Sequence, residues 1–513
     1  MEVPWIALVL GAIVVWFVLH WAPHRRPLPY PPGPKGYPLV GYVKAVPDPI
    51  WKTYADWGRE HASDVIRYNA LGNDIVVVNT LKAANELLDK RSSIYSDRPA
   101  TGLVMVRDLA GYGWSPVLAP YNSRLWHGSR RIFQRTLNPQ ASRQYRSLQL
   151  IAAHKLLRRL LESPGGFRAH TRYMVGEVII RAAYGIDVQD KDDPYIAVAE
   201  HGLWIANECM APGRWLVDIV PILKYVPEWV PGAGFKRQAR IWNKHVQAMA
   251  DVPFALAKSR HDLPADCAAK VVLEDLESDA DDMENFVIKA TLGTMYGAGS
   301  DTTTTILDTF FLAMTLNPDI RKEAQMAVDR VCEDRLPDFS DYDDIPYVHA
   351  IVMECLRWRP ALPLAVPHST TQDDQYEGYF IPAKSIVFPN IKAMMLDPGT
   401  YPNPEQFRPA RFLNHAQDSL DLTVPDPTPV VFGFGRRACP GRWIAYDSLW
   451  IAIACALAAF DISPVEDEGG RPVFPDAKYT DGLISYPDDF ECRITPRSAQ
   501  HRKLVTAAVD SEV

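Results

Sequence analysis

The sequence lacks most of what would mark a disulfide-stapled, glycosylated or nucleic-acid-binding protein. Its seven cysteines (Cys209, Cys267, Cys332, Cys355, Cys439, Cys455 and Cys492) are scattered over 513 residues, and no CxxC pair occurs. An odd, dispersed set excludes neither a free thiol nor a single thiolate ligand, but it argues against a disulfide framework and a structural zinc site. No Asn-x-Ser/Thr acceptor is present, which fits a globular part facing the cytosol. Positive charge is not in excess: 54 Lys+Arg stand against 62 Asp+Glu, a net charge of −8, so a basic nucleic-acid-binding face is not expected. No flavin or dinucleotide fingerprint appears, so electrons for any redox chemistry must come from another protein. Regular strand–helix alternation is missing as well, which argues against a parallel α/β sheet.

What is present begins with Val3–Ala22, VPWIALVLGAIVVWFVLHWA. About 20 apolar residues suffice to cross a bilayer core as a helix. Tryptophans near both ends suit the interfaces, and the following His24-Arg25-Arg26 places the rest of the chain in the cytoplasm. A cleaved signal would want a basic start and a small-residue cleavage site, and neither is seen. The expected organisation is an N-terminal transmembrane anchor (1–22), a stiff proline-rich linker (23–41), one catalytic domain (42–500) and a tail (501–513).

The body is expected to be mainly α with small β-sheets. The runs 64–69 and 74–79 read as a hairpin joined through Gly72-Asn73, and 81–91 has helical spacing. A second hairpin is expected around 376–391. The longest helical pattern is Met283–Leu316, stopped by Asn317-Pro318. Its middle holds Gly297, Ala298, Gly299 and four consecutive threonines, all poor helix formers. Close packing against a neighbour explains this simply. A ligand groove explains it too, with the Thr302 hydroxyl bonded to the Ala298 carbonyl and Asp301 linking the groove to water.

Several constellations carry chemistry. VFGFGRRACPGRW (Val431–Trp443) surrounds Cys439 with glycines that permit sharp turns and arginines that fork onto anions. Such a loop suits something large, anionic at its edge and soft at its centre. Trp126 and Arg130 sit four apart on one helix face, Glu354 and Arg357 three apart on another. Arg411 lies in a proline-bound loop, and His368 ends an extended segment; each of these, alone, reads as packing.

Together, the order PPGP, WxxxR, AGxDT, ExxR, FxPxRF and FxxGxRxCxG resembles the cytochrome P450 family of heme-thiolate monooxygenases over essentially the whole chain. The last motif, Phe432-x-x-Gly435-x-Arg437-x-Cys439-x-Gly441, matches at every fixed position. The resemblance implies the cytochrome P450 fold and heme b (iron protoporphyrin IX), with Cys439 as the axial ligand of the heme iron. It implies that Gly435 and Gly441 allow the turn and a close approach to the porphyrin beside Phe432. Arg437, Trp126, Arg130 and His368 would hold the propionates, and Asp301 and Thr302 would deliver protons. Glu354, Arg357 and Arg411 would form a structural network. Ala410 stands where the family's usual PERF has Glu, so one carboxylate is missing.

Finer resemblance, in 90–99, 224–237 and the late GYFIPAKSIV, points to fungal enzymes of secondary metabolism, the group that includes O-methylsterigmatocystin oxidoreductase and tryptamine 4-hydroxylase. It implies an NADPH-cytochrome P450 reductase as electron donor, an endoplasmic-reticulum membrane setting and a lipophilic small-molecule substrate, with terpenoid, polyketide and indole scaffolds open. Arg436 and Arg442 are candidates for docking the reductase. Trp204, Trp215 and Trp229 would sit at the membrane interface. Pocket candidates are Met295, Tyr296, Ala298, Leu364, Val366, Leu483, Ile484 and the loop 101–119. The alternative is a heme-thiolate isomerase or dehydratase that needs no reductase; a heme-binding carrier or sensor is a third reading.

Overall fold

The computed structural model describes residues 28–38, 40–211, 213–274 and 281–510; the expected anchor lies outside them. In chain order the elements that matter are β1 (Val65–Ala70), β2 (Asn73–Val78), α1 (Arg124–Thr136), α2 (Arg146–Glu162), α3 (Phe167–Tyr184), α4 (Pro194–Met210), α5 (Gly234–Ser259), α6 (Asp282–Leu316) and α7 (Pro346–Trp358). They are followed by β3 (His368–Ser369), β4 (Asp374–Tyr376), β5 (Tyr379–Ile381), β6 (Ile386–Pro389), α8 (Arg442–Ala459) and α9 (Ala499–Asp510). The architecture is mainly helical, with a four-stranded sheet and two-stranded ones beside it.

The first hairpin turns through Leu71-Gly72, with φ of 50° and 87°, rather than through Gly72-Asn73. A two-residue turn with both central φ positive matches the right-handed twist of the flanking strands, and glycine supplies the second position without strain. The late β-rich run divides between two sheets. Its first part makes the β4–β5 hairpin, while β6 leaves to pair in parallel with β2, giving the order β1-β2-β6-β3. The proline-rich stretch is not a free linker over its described part. Arg67 donates its amide to Pro32 at 2.9 Å and Phe380 to Pro29 at 2.7 Å, which ties the stretch to both sheets. The expected tail likewise contains most of α9, which packs on α2 and buries Val505.

The central element is α6, 35 residues or about 50 Å long. Asp281 caps it, accepting the Glu284 amide at 2.7 Å, and Asp282 and Glu284 complement the positive end of the dipole. It touches α1, α3, α4, α5, α7 and α8, so it is apolar on nearly every face rather than on one stripe. Its threonines are tolerated because their hydroxyls return to carbonyls one turn back: Thr302 to Ala298 at 2.9 Å, Thr304 to Ser300 at 2.8 Å, and Thr305 to Asp301 at 2.9 Å. The helix continues unbroken through this stretch. Among the described residues only α8 is long and apolar enough to cross a bilayer, and it is a buried core helix.

Candidate functional site

The loop before α8 is folded by its own backbone. The Cys439 amide donates to the Phe432 carbonyl at 2.7 Å, closing the turn, and Gly441 caps α8 two residues later. Burial raises the Cys439 thiol above its ordinary range, while the Gly441 amide pulls the other way, as does the charge of Arg130. Gly435 has φ of +52°, and a Cβ there would come within 2.4 Å of the Leu88 carbonyl. It therefore seats the loop on the short helix before Ser92 and does not line the cavity. Gly433, with φ of +82°, and Gly441 line it instead.

That cavity lies between the Cys439 loop and the middle of α6. Phe432, Ala438 and Cys439 form one wall; Ala298, Gly299 and Thr302 form the other. Both sequence explanations of the small-residue stretch hold, on different faces. A Cβ on Gly297 would meet Met249 Cε at 3.1 Å and one on Gly299 would meet Ile179 Cδ1 at 2.8 Å, so the glycines admit α5 and α3. Ala298, between them, is exposed to the cavity.

One edge of the cavity is a ring of donors. Arg130 donates to the carbonyls of Ala438, at 2.9 Å, and Arg436. Arg437 donates to Ser96 and Ala119, both at 2.7 Å. Among the described residues neither forms an ion pair, and burial lowers both guanidinium pKa values, helped by the charge of Arg442 at Arg130 and by that of Arg130 at Arg437, whose value falls to about 10. The Trp126 indole N–H is buried with no partner. His368 donates Nδ1 to the Tyr95 carbonyl at 2.8 Å, and burial, with Arg98 beside it, pushes its pKa down to about 3. With Nδ1 so committed, Nε2 carries a proton only in the imidazolium form, which an anion in the cavity would favour.

Sequence reasoning missed Arg98. It is fully buried, donates to Val117, Val366 and Pro367 at 2.7–2.9 Å, and joins Arg130 and Arg437 at the same edge. The SDRP tetrapeptide that carries it was the available signal.

Asp301 does not line the cavity. Its carboxylate turns to the far side of α6, accepting from the Tyr486 hydroxyl at 2.7 Å and standing 3.6 Å from Arg172. Behind the cavity, Glu354 and Arg357 are wholly buried and paired at 2.7 Å. Arg411 adds a second contact to Glu354 at 3.2 Å, and the Arg408 amide a third at 2.7 Å. The missing carboxylate at Ala410 leaves this cluster complete, because Arg411 also bonds the carbonyls of Pro402, Asn403 and Gln406.

Of the pocket candidates, Met295, Ala298 and Val366 line the cavity, with Pro116 and Val117 from the loop 101–119. Tyr296 does not; it turns against Tyr184 and donates to the Tyr195 carbonyl. Leu364 lines a separate cavity, and Leu483 and Ile484 line neither.

These residues fit a heme. A soft thiol faces a groove of small residues, and an unsatisfied buried N–H and three arginines that form no ion pair among the described residues stand where carboxylates would satisfy them. The comparisons agree. The family model for cytochrome P450 matches residues 31–487. The chain is 41% identical over 510 residues to cytochrome P450 monooxygenase 98 of Postia placenta, covering 98% of this chain and 96% of that protein. It is 37% identical to cytochrome P450 monooxygenase ple1 of Rhodocybe pseudopiperita, with 97% and 96% covered. It is 36% identical to tryptamine 4-monooxygenase of Psilocybe cyanescens, with 93% and 94% covered. With loop, groove and donor ring in agreement with these matches, the chain belongs to the cytochrome P450 family of heme b monooxygenases.

Proposed function

We propose that this enzyme inserts one oxygen atom from dioxygen into an uncharged, lipophilic intermediate of secondary metabolism. The observation that carries the reading is the wall of the cavity away from the arginine edge. Met295, Ala298, Ile179, Leu362 and Val366 are apolar, and no Asp, Glu or Lys lines the cavity among the described residues. An apolar pocket with few polar groups holds an apolar substrate, and leaves a cationic amine such as tryptamine without a counter-charge.

Arg98, Arg130, Arg437 and Trp126 would hold the heme propionates, with His368 beside them, and Cys439 would ligate the iron as thiolate. When bound, heme supplies the activation of dioxygen and the transfer of one of its atoms. The Thr302 hydroxyl holds a proton at the cavity wall, donated at rest to Ala298. Asp301, on the opposite side of the helix, is oriented by Arg172 and would exchange a proton with the Tyr486 hydroxyl that donates to it; it is a positioning and relay residue rather than a wall of the pocket.

Electrons would come from NADPH through a cytochrome P450 reductase on the same endoplasmic-reticulum membrane. Trp204 on α4 and Leu216, Ile222, Tyr225 and Trp229 between α4 and α5 are all exposed, apolar surface that suits a bilayer interface. Trp215 is only half-buried and donates its indole N–H to Glu208 at 2.9 Å. Arg436 is exposed and its side chain, among the described residues, donates only to the Tyr121 hydroxyl, which leaves N–H groups for an acidic partner, whereas Arg442 is half-buried and bonded to the Cys439 carbonyl at 3.1 Å. Reversal of Arg436 alone therefore tests docking: R436E should slow reduction in a salt-dependent way, and an unchanged rate removes Arg436 from the interface.

The deciding experiment incubates the full-length enzyme with a reductase, NADPH, labelled dioxygen and pooled terpenoid, polyketide and indole precursors. A product carrying one labelled oxygen is expected. In T302A, NADPH consumption should continue while product falls and peroxide rises. A product formed without NADPH or label would overturn the reading in favour of an isomerase or dehydratase.

A further inference from the structure

A second cavity, of about 400 Å³, lies outside the first and is lined by Ile50, Trp51, Arg359, Leu364, Lys392 and Tyr479 among others. That size is within the ~300–1,000 Å³ of small-molecule sites. The two cavities share a wall. In the segment after α7, Pro360, Pro363 and Leu364 face the outer cavity, while Ala361, Leu362, Ala365 and Val366 face the inner one. Ala365 holds φ of +52° within that wall, a left-handed backbone that a non-glycine residue adopts rarely.

The chemistry of the outer cavity rests on two cations that no carboxylate bonds directly. Lys392 is buried, and its ammonium donates to the Trp358 carbonyl. Arg359 donates to the same carbonyl at 3.1 Å, its guanidinium lying 4.1 Å from the Trp358 ring centroid. Among the described residues neither forms a salt bridge. The carboxylates on the lining, Asp48, Glu405 and Asp481, are on exposed residues. The ammonium has three N–H groups and the guanidinium five, and each gives one bond to this single carbonyl, leaving donors over. Burial, and then the charge of Arg359, holds the Lys392 ammonium well below its ordinary range, and the Glu405 carboxylate, which forms no salt bridge with it, offsets this only in part. Apart from Thr480 and Ser485, the uncharged side chains of the lining are aromatic or aliphatic.

We propose that this outer cavity is a second small-molecule site, which takes an amphipathic carboxylate: Lys392 and Arg359 hold the carboxylate, and Ile50, Trp51, Leu364 and Tyr479 hold the hydrocarbon. A carboxylate accepts from both cations at once, and charge-assisted bonds of this kind are the strong ones. Because the wall is common, an occupant would press on the segment that also shapes the heme cavity.

The test uses the full-length holoenzyme, with decanoate and decanol as a matched pair of probes in titration calorimetry. An iron-ligating azole fills the inner cavity throughout. Decanoate should bind about tenfold or more tightly than decanol, the ratio one charge-assisted bond supports. K392M and R359Q should each bring that ratio close to one, with heme content and the carbon monoxide difference spectrum unchanged. Equal binding of the two probes by the unaltered enzyme would overturn the proposal. So would loss of decanoate binding when the azole is present, which would place the probe in the inner cavity. A ratio that survives in both variants would place the carboxylate elsewhere. None of these outcomes depends on the substrate of the inner cavity.

Discussion

Two clusters of buried and half-buried arginines, one around Glu354 and one at the edge of the heme cavity, are wired differently. Arg357 and Arg411 converge on the carboxylate of Glu354, with further bonds to carbonyls. Arg98, Arg130 and Arg437 have carbonyls alone, and a neighbouring buried indole N–H with nothing. A buried charge that is paired within the chain holds the fold together; one left with donors to spare is prepared for an anion that arrives later. Lys392 and Arg359 repeat the second pattern in miniature, which is why the outer cavity reads as a site rather than as packing.

The largest effect should come from breaking the paired cluster. R357A leaves the Glu354 carboxylate buried with only Arg411 and an amide, a loss of about 3–5 kcal/mol. Much of the margin of a folded domain is of that size. Neither heme incorporation nor a cooperative thermal transition should survive, as calorimetry of the purified variant would show. Retention of both would mean that Arg411 alone satisfies Glu354 and that the two clusters are not so different.

Breaking the unpaired cluster should instead spare the fold and weaken the hold on heme. In R98Q a neutral amide replaces a fully buried cation. Heme should then leave to a competing apoprotein about 10- to 100-fold faster, with the far-ultraviolet circular dichroism unchanged. Unfolding of the variant would place Arg98 with Arg357 as a structural group. A sharper contrast comes from W126F, where the two states should respond with opposite sign. Removing an unsatisfied buried N–H should stabilise the heme-free protein by about 1 kcal/mol and weaken heme retention about two- to tenfold. The same sign in both states would show that the indole N–H has no part in binding.

The paired cluster and much of the donor ring were legible in the sequence because helix geometry fixes local neighbours. Glu354 and Arg357 at i, i+3, and Trp126 and Arg130 at i, i+4, share a face wherever the helix lies. What stayed hidden depends on distant chain. Arg98 reaches the cavity edge from a loop, held by carbonyls near residues 117 and 366. Asp301 is adjacent to Thr302 in sequence but turns from the cavity, because Arg172 and Tyr486 draw it to the other side of α6. No local spacing reports such a partner. The parallel pairing of β6 with β2 was hidden for the same reason, since the β-rich run it belongs to also makes an ordinary hairpin.

The smallest effect concerns a carboxylate between the two patterns. Asp308 on α6 is buried and accepts from the Thr171 hydroxyl at 2.9 Å and from Arg168 at 3.2 Å, but Arg168 also serves the exposed Asp489. Burial outweighs this shared partner and pushes its pKa up to about 6. A carboxyl whose folded pKa lies above its unfolded value holds its proton more tightly in the native state. Its contribution is therefore fully present at acid pH and is lost as pH rises from about 4 to about 6. Two units correspond to about 2–3 kcal/mol at most. In D308N the amide keeps an acceptor for Thr171 and cannot ionise. Urea unfolding of wild type and variant across pH 4 to 7 should give curves that converge at the acid end, with the variant losing less stability as pH rises. Parallel curves would mean that Arg168 pairs with Asp308 as completely as Arg357 does with Glu354, and Asp308 would then belong with the paired cluster.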